Sequence, residues 1–153
     1  LKHMEIIRAG MQEAGRAAAL AQLLWPGHAQ AELEQELAGY LQGPEGAVFA
    51  VESGEFEKRS LELFGYPYTH EKLKGLRDLF RNIRYLEGVF VQEEYRGRGV
   101  ATALLRACEA WAGEKGCAEF ASDCGLDNAA SAVFHLRAGF AEAGRIICFT
   151  KRL

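Results

Sequence analysis

A short run of arginine and glycine is the part of this sequence whose residue types point most directly to chemistry. It reads Arg96-Gly97-Arg98-Gly99-Val100-Ala101 and lies between a stretch typical of a strand and one typical of a helix. Glycines let the backbone turn sharply and approach a ligand closely. The first N–H groups of a helix have no intrahelical acceptor, and with the helix dipole and two arginines they form an anion site. The run therefore predicts a pyrophosphate site, although it has neither the Gly-Lys-Ser/Thr of a Walker loop nor the dinucleotide GxGxxG pattern.

Two carboxylates in predicted strands have the chemistry to act on an amine. Glu87 lies early in one strand, and Asp123 ends another. A carboxylate can orient an amine and accept the proton that the amine loses before it attacks a carbonyl. Each residue also has a structural interpretation, since a lone Glu in a strand commonly pairs with a surface base and an Asp is typical of a turn. No Ser/His/Asp or Cys/His arrangement indicates an acyl-enzyme.

The elements that would position these residues alternate between strands and helices in the C-terminal half, which predicts an α/β sheet with crossovers. We expect strands at 4–8, 47–51, 60–64, 85–91, 117–123 and 146–152. We expect helices at 14–24, 29–42 and 100–114, a helix from an N-cap at Asp127 to Gly139, and a less clear one that begins at Thr69.

The charge of the chain argues against a nucleic-acid partner. The 153 residues carry a net charge of −3. Seven Lys/Arg and four acidic residues lie between positions 57 and 84, so the rest of the chain has 11 basic and 17 acidic residues. An acidic body attracts a polycationic substrate, although it is also typical of a plain solubilising surface.

Several absences in the sequence favour a cytoplasmic protein without a membrane partner. No apolar run approaches the roughly 18 residues of a membrane span, and no signal-peptide pattern follows Met4. The three residues before Met4 resemble a vector-derived scar, so we expect a single domain over residues 4–153. The cysteines form no CxxC pair and no zinc-spaced cluster, and we expect no metal and reduced, mostly buried thiols. They are Cys108, Cys117, Cys124 and Cys148.

The motif Arg96-x-x-Gly99-x-Ala101 resembles the Gln/Arg-x-x-Gly-x-Gly/Ala signature of the GNAT superfamily, which grips the pyrophosphate of acetyl-CoA. Four further segments resemble a subgroup, the aminoglycoside 6′-N-acetyltransferases. They are Leu24-Trp25-Pro26-Gly27-His28, Leu86-Glu87-Gly88-Val89-Phe90-Val91, Ala121-Ser122-Asp123 and His135-x-x-x-Gly139-Phe140. The resemblance covers residues 4–51 and 85–153. It implies an acyltransferase of α/β (α+β) class with the GNAT fold, a mixed central sheet with a splayed strand pair and flanking helices. It also implies acetyl-CoA as co-substrate, an aminoglycoside as acceptor and a homodimer.

The resemblance also assigns roles to individual residues. It implies that the backbone of Val89, Phe90 and Val91 pairs with the pantetheine arm and that Arg96 and Gly97 to Thr102 hold the pyrophosphate. The residues implied at the pyrophosphate are Gly97, Arg98, Gly99, Val100, Ala101 and Thr102, and Asn128 is implied to hydrogen-bond the cofactor or the acceptor. Glu87 and Asp123 resemble acceptor-binding carboxylates near the reacting amine. Trp25 and His28 match the segment that walls the acceptor pocket.

Residues 55–84 depart from the family pattern, which has a strand and an Arg-x-x-Tyr loop whose Tyr reaches the acceptor. Tyr66 and Tyr68 supply tyrosines here, but in a different context. Gly144 stands where the family has a Glu, and the general-acid Tyr of many GNAT enzymes has no clear counterpart. Two alternatives therefore remain open: a GNAT enzyme for a polyamine or a peptide or protein N-terminus, and a non-catalytic acetyl-CoA-binding module.

Overall fold

The computed structural model describes residues 4–44, 46–53, 61–62 and 83–153. Their elements, in chain order, are β1 (Met4–Arg8), α1 (Ala14–Leu24), α2 (Gln30–Gln42), β2 (Phe49–Ser53), β3 (Leu61–Glu62), β4 (Ile83–Leu86), α3 (Val100–Glu114), β5 (Glu119–Ser122) and α4 (Ala129–Arg137). Short 3₁₀ turns precede α1 and α3. The chain divides into two compact units, of which the first ends at Asp123 and the second begins at Cys124.

The first unit contains an antiparallel sheet of β1, β2 and β3. Strand β1 pairs with β2 in a register that sets Ile6 opposite Val51. The run from Ala47 to Val51 is buried throughout, because helices pack on the sheet at β2. Val48 and Ala50 contact the core of α1 and α2, while α3 packs against β1 and β2. A continuous apolar run of this kind is typical of a strand that is covered on both faces.

Helices α1 and α2 bury alanines and leucines against this sheet. The buried residues of the two helices in this cluster are Ala17, Ala18, Leu20, Ala21, Leu33 and Leu37. Three partly buried aromatic side chains, Trp25, Tyr40 and Phe90, pack against the same cluster. The α1–α2 core therefore reaches the residues at which the sequence predicts an acceptor site.

Strands β4 and β5 form a parallel pair, and α3 is the helix in the connection between them. Helix α3 buries one apolar face, which includes Leu104, Leu105, Cys108 and Trp111. The parallel arrangement sets the carboxyl ends of both strands at one edge. Leu86 and Ser122 are the last paired residues at that edge.

Several element boundaries differ from the prediction. Strand β4 ends at Leu86, not at residue 91, and β5 covers Glu119–Ser122. Helix α4 is capped by Asn128 and not by Asp127, because the Asn128 side-chain oxygen accepts a hydrogen bond from the Ser131 N–H at 3.1 Å. The expected helix at Thr69 lies outside the described residues, and only Leu61–Glu62 of the expected strand 60–64 is described.

The expected last strand, 146–152, is wrong for the described part of the chain. Residues 141–153 have no regular secondary structure there, and no described strand pairs with them. A strand requires a neighbour for its backbone hydrogen bonds, so the apolar pattern alone does not make one. Ile146, Ile147 and Phe149 are consequently exposed.

The cysteines are less buried than expected. All four are free thiols, but only Cys108 is buried, while Cys124 and Cys148 are exposed and Cys117 is intermediate. Among the described helices, none has the length and apolar character needed to cross a membrane.

Candidate active site

The carboxyl ends of β4 and β5 bring Glu87 and Asp123 together. Each follows the last residue of its strand, and the strands end in register at Leu86 and Ser122. Neighbouring residues of adjacent parallel strands lie within about 5 Å of each other along the hydrogen-bonding direction. The Ser122 hydroxyl donates a hydrogen bond to the Leu86 carbonyl oxygen at 3.1 Å, which ties the two strand ends together. The sequence placed these carboxylates 36 residues apart, and the parallel pairing makes them neighbours.

A third carboxylate, Glu36 on α2, belongs to the same electrostatic neighbourhood. The pKa of Glu87 is raised, first by partial burial and then by the negative charges of Asp123 and Glu36. The Tyr40 hydroxyl donates a hydrogen bond to Glu36 Oε1 at 3.1 Å. The sequence analysis missed Glu36, because one glutamate on the exposed face of a charged helix carries no signal of where that face points.

Trp25, which the family resemblance places in the wall of the acceptor pocket, is the C-cap residue of α1. Its backbone N–H donates to the Ala21 carbonyl oxygen at 2.8 Å, and its ring packs against the α1–α2 core and against Gly88. His28 is exposed, and its N–H donates to the Trp25 carbonyl oxygen at 3.1 Å in the turn after the helix. Among the described residues, Trp25 thus contacts Gly88, the neighbour of Glu87, whereas the His28 side chain has no such contact.

The segment from Val89 to Val91 leaves β4 and is partly buried. Phe90 packs against the α1–α2 core. Within the described residues, the N–H groups of Phe90 and Val91 have no backbone acceptor. The strand was expected to continue to Val91 and instead stops at Leu86, so residues 87–91 leave the ladder. Backbone N–H groups that have no backbone acceptor are suited to pair with an extended ligand.

The loop from Arg96 to Gly99 offers a ligand mainly backbone groups, because two of its four residues are glycines. Gly97 and Gly99 have φ of 72° and 78°, the left-handed region that favours glycine. Gly99 is the N-cap of α3, and the first intrahelical bond there runs from the Ala103 N–H to the Gly99 carbonyl oxygen at 3.0 Å. The N–H groups of the first helical turn therefore point out of the helix at its positive end. These N–H groups belong to Val100, Ala101 and Thr102.

The two arginines of the loop have partners of their own. Arg96 Nε donates a hydrogen bond to the Val91 carbonyl oxygen at 2.9 Å. The Arg98 guanidinium carbon lies 5.7 Å from the centre of the Tyr95 ring. Arg96 thereby ties the loop to the Val89–Val91 segment, which is a positioning contact that the motif alone does not reveal.

In the second unit, Asn128 and His135 make local contacts. Asn128 caps α4 through its side-chain oxygen. His135 Nδ1 lies 2.7 Å from the Ser131 carbonyl oxygen, and its ring meets Phe134 and Phe140 edge-on at 5.6 and 5.2 Å between centroids. His135 is therefore a packing residue. Arg145 Nε donates to Glu142 Oε1 at 2.7 Å, which lowers the pKa of the Glu142 carboxyl.

No three His, Cys, Asp or Glu side chains among the described residues are grouped as a metal ion would require. A polycationic amine and an extended thioester with a pyrophosphate match the two halves of this site.

Comparison with known proteins agrees with this chemistry. The model of the acetyltransferase (GNAT) family matches residues 10–140. The chain is 39% identical to an aminoglycoside N(6′)-acetyltransferase type 1 of Klebsiella aerogenes over 134 residues, which is 85% of this chain and 84% of that protein. It is 35% identical to an enzyme of the same name from Acinetobacter genomosp. 13, over 88% of both chains.

Solved structures give the same result. The chain is similar to aminoglycoside N-acetyltransferase AAC(6′)-Iy in complex with CoA, with a TM-score of 0.78, 28% identity and coverage of 99% of this chain and 96% of that one. A second structure of AAC(6′)-Iy, with the bisubstrate analogue CoA-S-monomethyl-acetylneamine, has a TM-score of 0.77 at 28% identity and 99% coverage of both chains. The chain belongs to the GNAT family of acetyltransferases, and its relatives within that family are aminoglycoside N(6′)-acetyltransferases.

Proposed function

We propose that this chain transfers the acetyl group of acetyl-CoA to the 6′-amine of an aminoglycoside antibiotic, by direct attack and without an acyl-enzyme, and so confers resistance. The observation that carries the proposal is the pair Glu87 and Asp123 at the ends of adjacent parallel strands, with Glu36 nearby. An aminoglycoside carries several ammonium groups, and clustered carboxylates compensate their charge when they leave water.

On the acceptor side, Asp123 and Glu87 orient the 6′-amine and accept its proton, directly or through water. The raised pKa of Glu87 makes it a better proton acceptor than an ordinary carboxylate. The indole of Trp25, which packs against Gly88, forms the wall beside Glu87. His28 belongs to the same turn and completes that wall.

The chemical step forms a bond between the amine nitrogen and the thioester carbonyl carbon. The tetrahedral oxyanion accepts a hydrogen bond from the backbone N–H of Phe90 or Val91, neither of which has a backbone acceptor within the described residues. The carboxylate accepts one proton from the 6′-ammonium group before the attack. When the carbon–sulfur bond breaks, the CoA thiolate leaves and the nitrogen releases its second proton to water. The thiolate leaves without a dedicated tyrosine acid.

On the cofactor side, Val89 to Val91 pair with the pantetheine arm, and Arg96 to Thr102 hold the pyrophosphate. The left-handed glycines and the N-terminus of α3 support this assignment. Asn128 uses its side-chain oxygen as a helix cap, so the amide nitrogen is the group that donates to the cofactor or acceptor.

We further propose that residues 4–153 act as one GNAT domain, in a cytoplasmic homodimer. The family model spans residues 10–140 and crosses the boundary between the two units, which supports a single functional domain. The apolar tail with exposed Ile146, Ile147 and Phe149 supports association with a second copy. The use of acetyl-CoA, a co-substrate found inside cells, supports the cytoplasmic location.

The test is thiol release from acetyl-CoA with kanamycin, tobramycin, spermidine and a short peptide as separate acceptors. We expect fast release with the two aminoglycosides alone. Release only with spermidine or the peptide would identify a GNAT enzyme for another amine. Tight acetyl-CoA binding with no release on any acceptor would identify a non-catalytic cofactor-binding module.

A further inference from the structure

Gly88, the residue directly after Glu87, has no room for a side chain. A Cβ atom at this position would lie 2.8 Å from Trp25 Cη2, 3.1 Å from Trp25 Cζ2 and 2.9 Å from Leu24 Cδ2. Carbon atoms in favourable contact are about 3.5–4.0 Å apart. The outer edge of the indole ring therefore rests directly on the backbone of residue 88.

The reason for glycine at this position is space and not backbone conformation. The glycines with positive φ are Gly97, Gly99, Gly116 and Gly139 within the described residues, and Gly88 is not among them. A larger residue could adopt the backbone angles of Gly88, but its Cβ would meet two side chains from the end of α1.

The Trp25 ring has little room to move towards the core. Its backbone is fixed by the hydrogen bond from its N–H to the Ala21 carbonyl oxygen, and its ring packs against the α1–α2 core. The Leu24 side chain approaches the same point from the neighbouring position. A side chain at residue 88 would displace the ring outward, away from the core and from the strand.

We propose that Gly88 is a positioning residue for acceptor binding: because it lacks a side chain, the Trp25 ring lies against the peptide next to Glu87 and sets the width of the acceptor site. This inference rests on the proposed function, since it takes Trp25 and Glu87 as parts of the acceptor site. Gly88 acts through Trp25 and need not touch the substrate.

The first experiment compares Gly88→Ala with Gly113→Ala. Gly113 lies in α3 with nothing within 4 Å of its Cβ position, so its variant controls for the added methyl group. In Gly88→Ala we expect the KM for kanamycin to rise about fivefold, while the KM for acetyl-CoA changes less than about twofold. Gly113→Ala retains both KM values.

A double-mutant cycle with Trp25→Phe separates the ring from the backbone. The phenyl ring of Phe ends short of the indole atoms Cη2 and Cζ2, so Gly88→Ala should raise the kanamycin KM by less than about twofold in the Trp25→Phe background. If Gly88→Ala raises the kanamycin KM by the same factor in the wild-type and Trp25→Phe backgrounds, Gly88 acts through the backbone and the inference is wrong. This cycle also covers the case in which Gly88→Ala alone does not fold. Trp25→Phe removes both indole contacts of the added methyl and leaves only the one to Leu24 Cδ2, the end of a flexible side chain, and the KM of the double variant is compared with that of Trp25→Phe.

Tryptophan fluorescence reports the ring directly. The chain has two tryptophans, so Trp111→Phe leaves Trp25 as the only one. We expect Gly88→Ala in that background to shift Trp25 emission to the red and to increase quenching by acrylamide. A shifted ring with an unchanged kanamycin KM overturns the inference and leaves the proposed function intact. A wild-type chain that does not acetylate any aminoglycoside overturns the proposed function itself, and is recognised before any variant is compared.

Discussion

The proposed acceptor side and the proposed cofactor side of this molecule differ in how their candidate binding groups are distributed along the sequence. On the acceptor side, Glu36 comes from α2, Glu87 follows β4 and Asp123 follows β5. On the proposed cofactor side, the candidate groups belong to consecutive residues, from Arg96 to Thr102, and most of them are backbone N–H groups. Side-chain charge therefore dominates one side and backbone geometry the other, and substitutions should separate the two.

Asp123→Asn should have the largest effect, because it removes a charge from the place where we propose that the reacting amine binds. We expect kcat/KM for kanamycin to fall by about 10-fold or more, on the order of 1.4 kcal/mol, with little change in acetyl-CoA affinity. Steady-state kinetics with each substrate varied measures both values. Glu109→Gln, at an exposed position of α3, is the matched loss of a carboxylate and should behave as wild type. Wild-type kinetics in Asp123→Asn would remove Asp123 from the mechanism.

Glu87→Gln should weaken acceptor binding and stabilise the fold. Burial and then the charges of Asp123 and Glu36 raise the pKa of Glu87, so the folded protein binds a proton that the unfolded chain has released. This residue's contribution to stability is therefore lost as the pH rises from the ordinary Glu pKa of about 4.3 through the raised value. We expect Glu87→Gln to increase Tm at neutral pH, with no increase at a pH below the ordinary Glu pKa. We also expect it to raise the kanamycin KM about fivefold.

Thermal unfolding of both proteins between pH 4 and pH 8 tests the stability part of this prediction. A Tm difference that does not depend on pH would mean that ionisation of Glu87 does not destabilise the fold. A Tm increase with unchanged kanamycin KM would instead remove Glu87 from the proposed acceptor site and leave Asp123 as its candidate carboxylate from the strand ends.

The same contrast explains how much could be predicted from the sequence. The loop was predictable, because left-handed glycines before a helix are a local pattern, and α3 matches its expected bounds of 100–114. Family resemblance singled out Glu87 and Asp123 as site candidates, but their proximity was not predictable, because it depends on the parallel pairing of β4 and β5. Glu36 and the packing of Trp25 on Gly88 were not predictable, because they depend on how α1 and α2 meet β4. The expected strand 146–152 was wrong because its apolar pattern does not supply a pairing partner.

Substitution of the loop arginines should have smaller effects, and unequal ones. Arg96→Ala loses the hydrogen bond to the Val91 carbonyl oxygen, a contact worth about 0.5–1.5 kcal/mol, so acetyl-CoA should bind about threefold more weakly. Arg98→Ala loses a cation–π contact with Tyr95 worth about 0.5–1 kcal/mol at an exposed site, and should weaken acetyl-CoA binding less than Arg96→Ala does. Calorimetric titration with acetyl-CoA measures both. A larger loss in Arg98→Ala would mean that arginine charge, more than loop geometry, binds the pyrophosphate.

Glu36→Gln should have the smallest effect and test whether the acceptor side extends to α2. Loss of its charge lowers the pKa of Glu87 towards the ordinary value, so Glu87 stays ionised to a lower pH. The rise in kanamycin KM on acidification should therefore move to lower pH, while the KM at neutral pH rises about twofold. Glu34→Gln, also exposed on α2, controls for the loss of one helix charge and should leave the profile in place. If the two variants give the same profile, Glu36 acts only through the general charge of the helix, and the acceptor site is confined to the ends of β4 and β5.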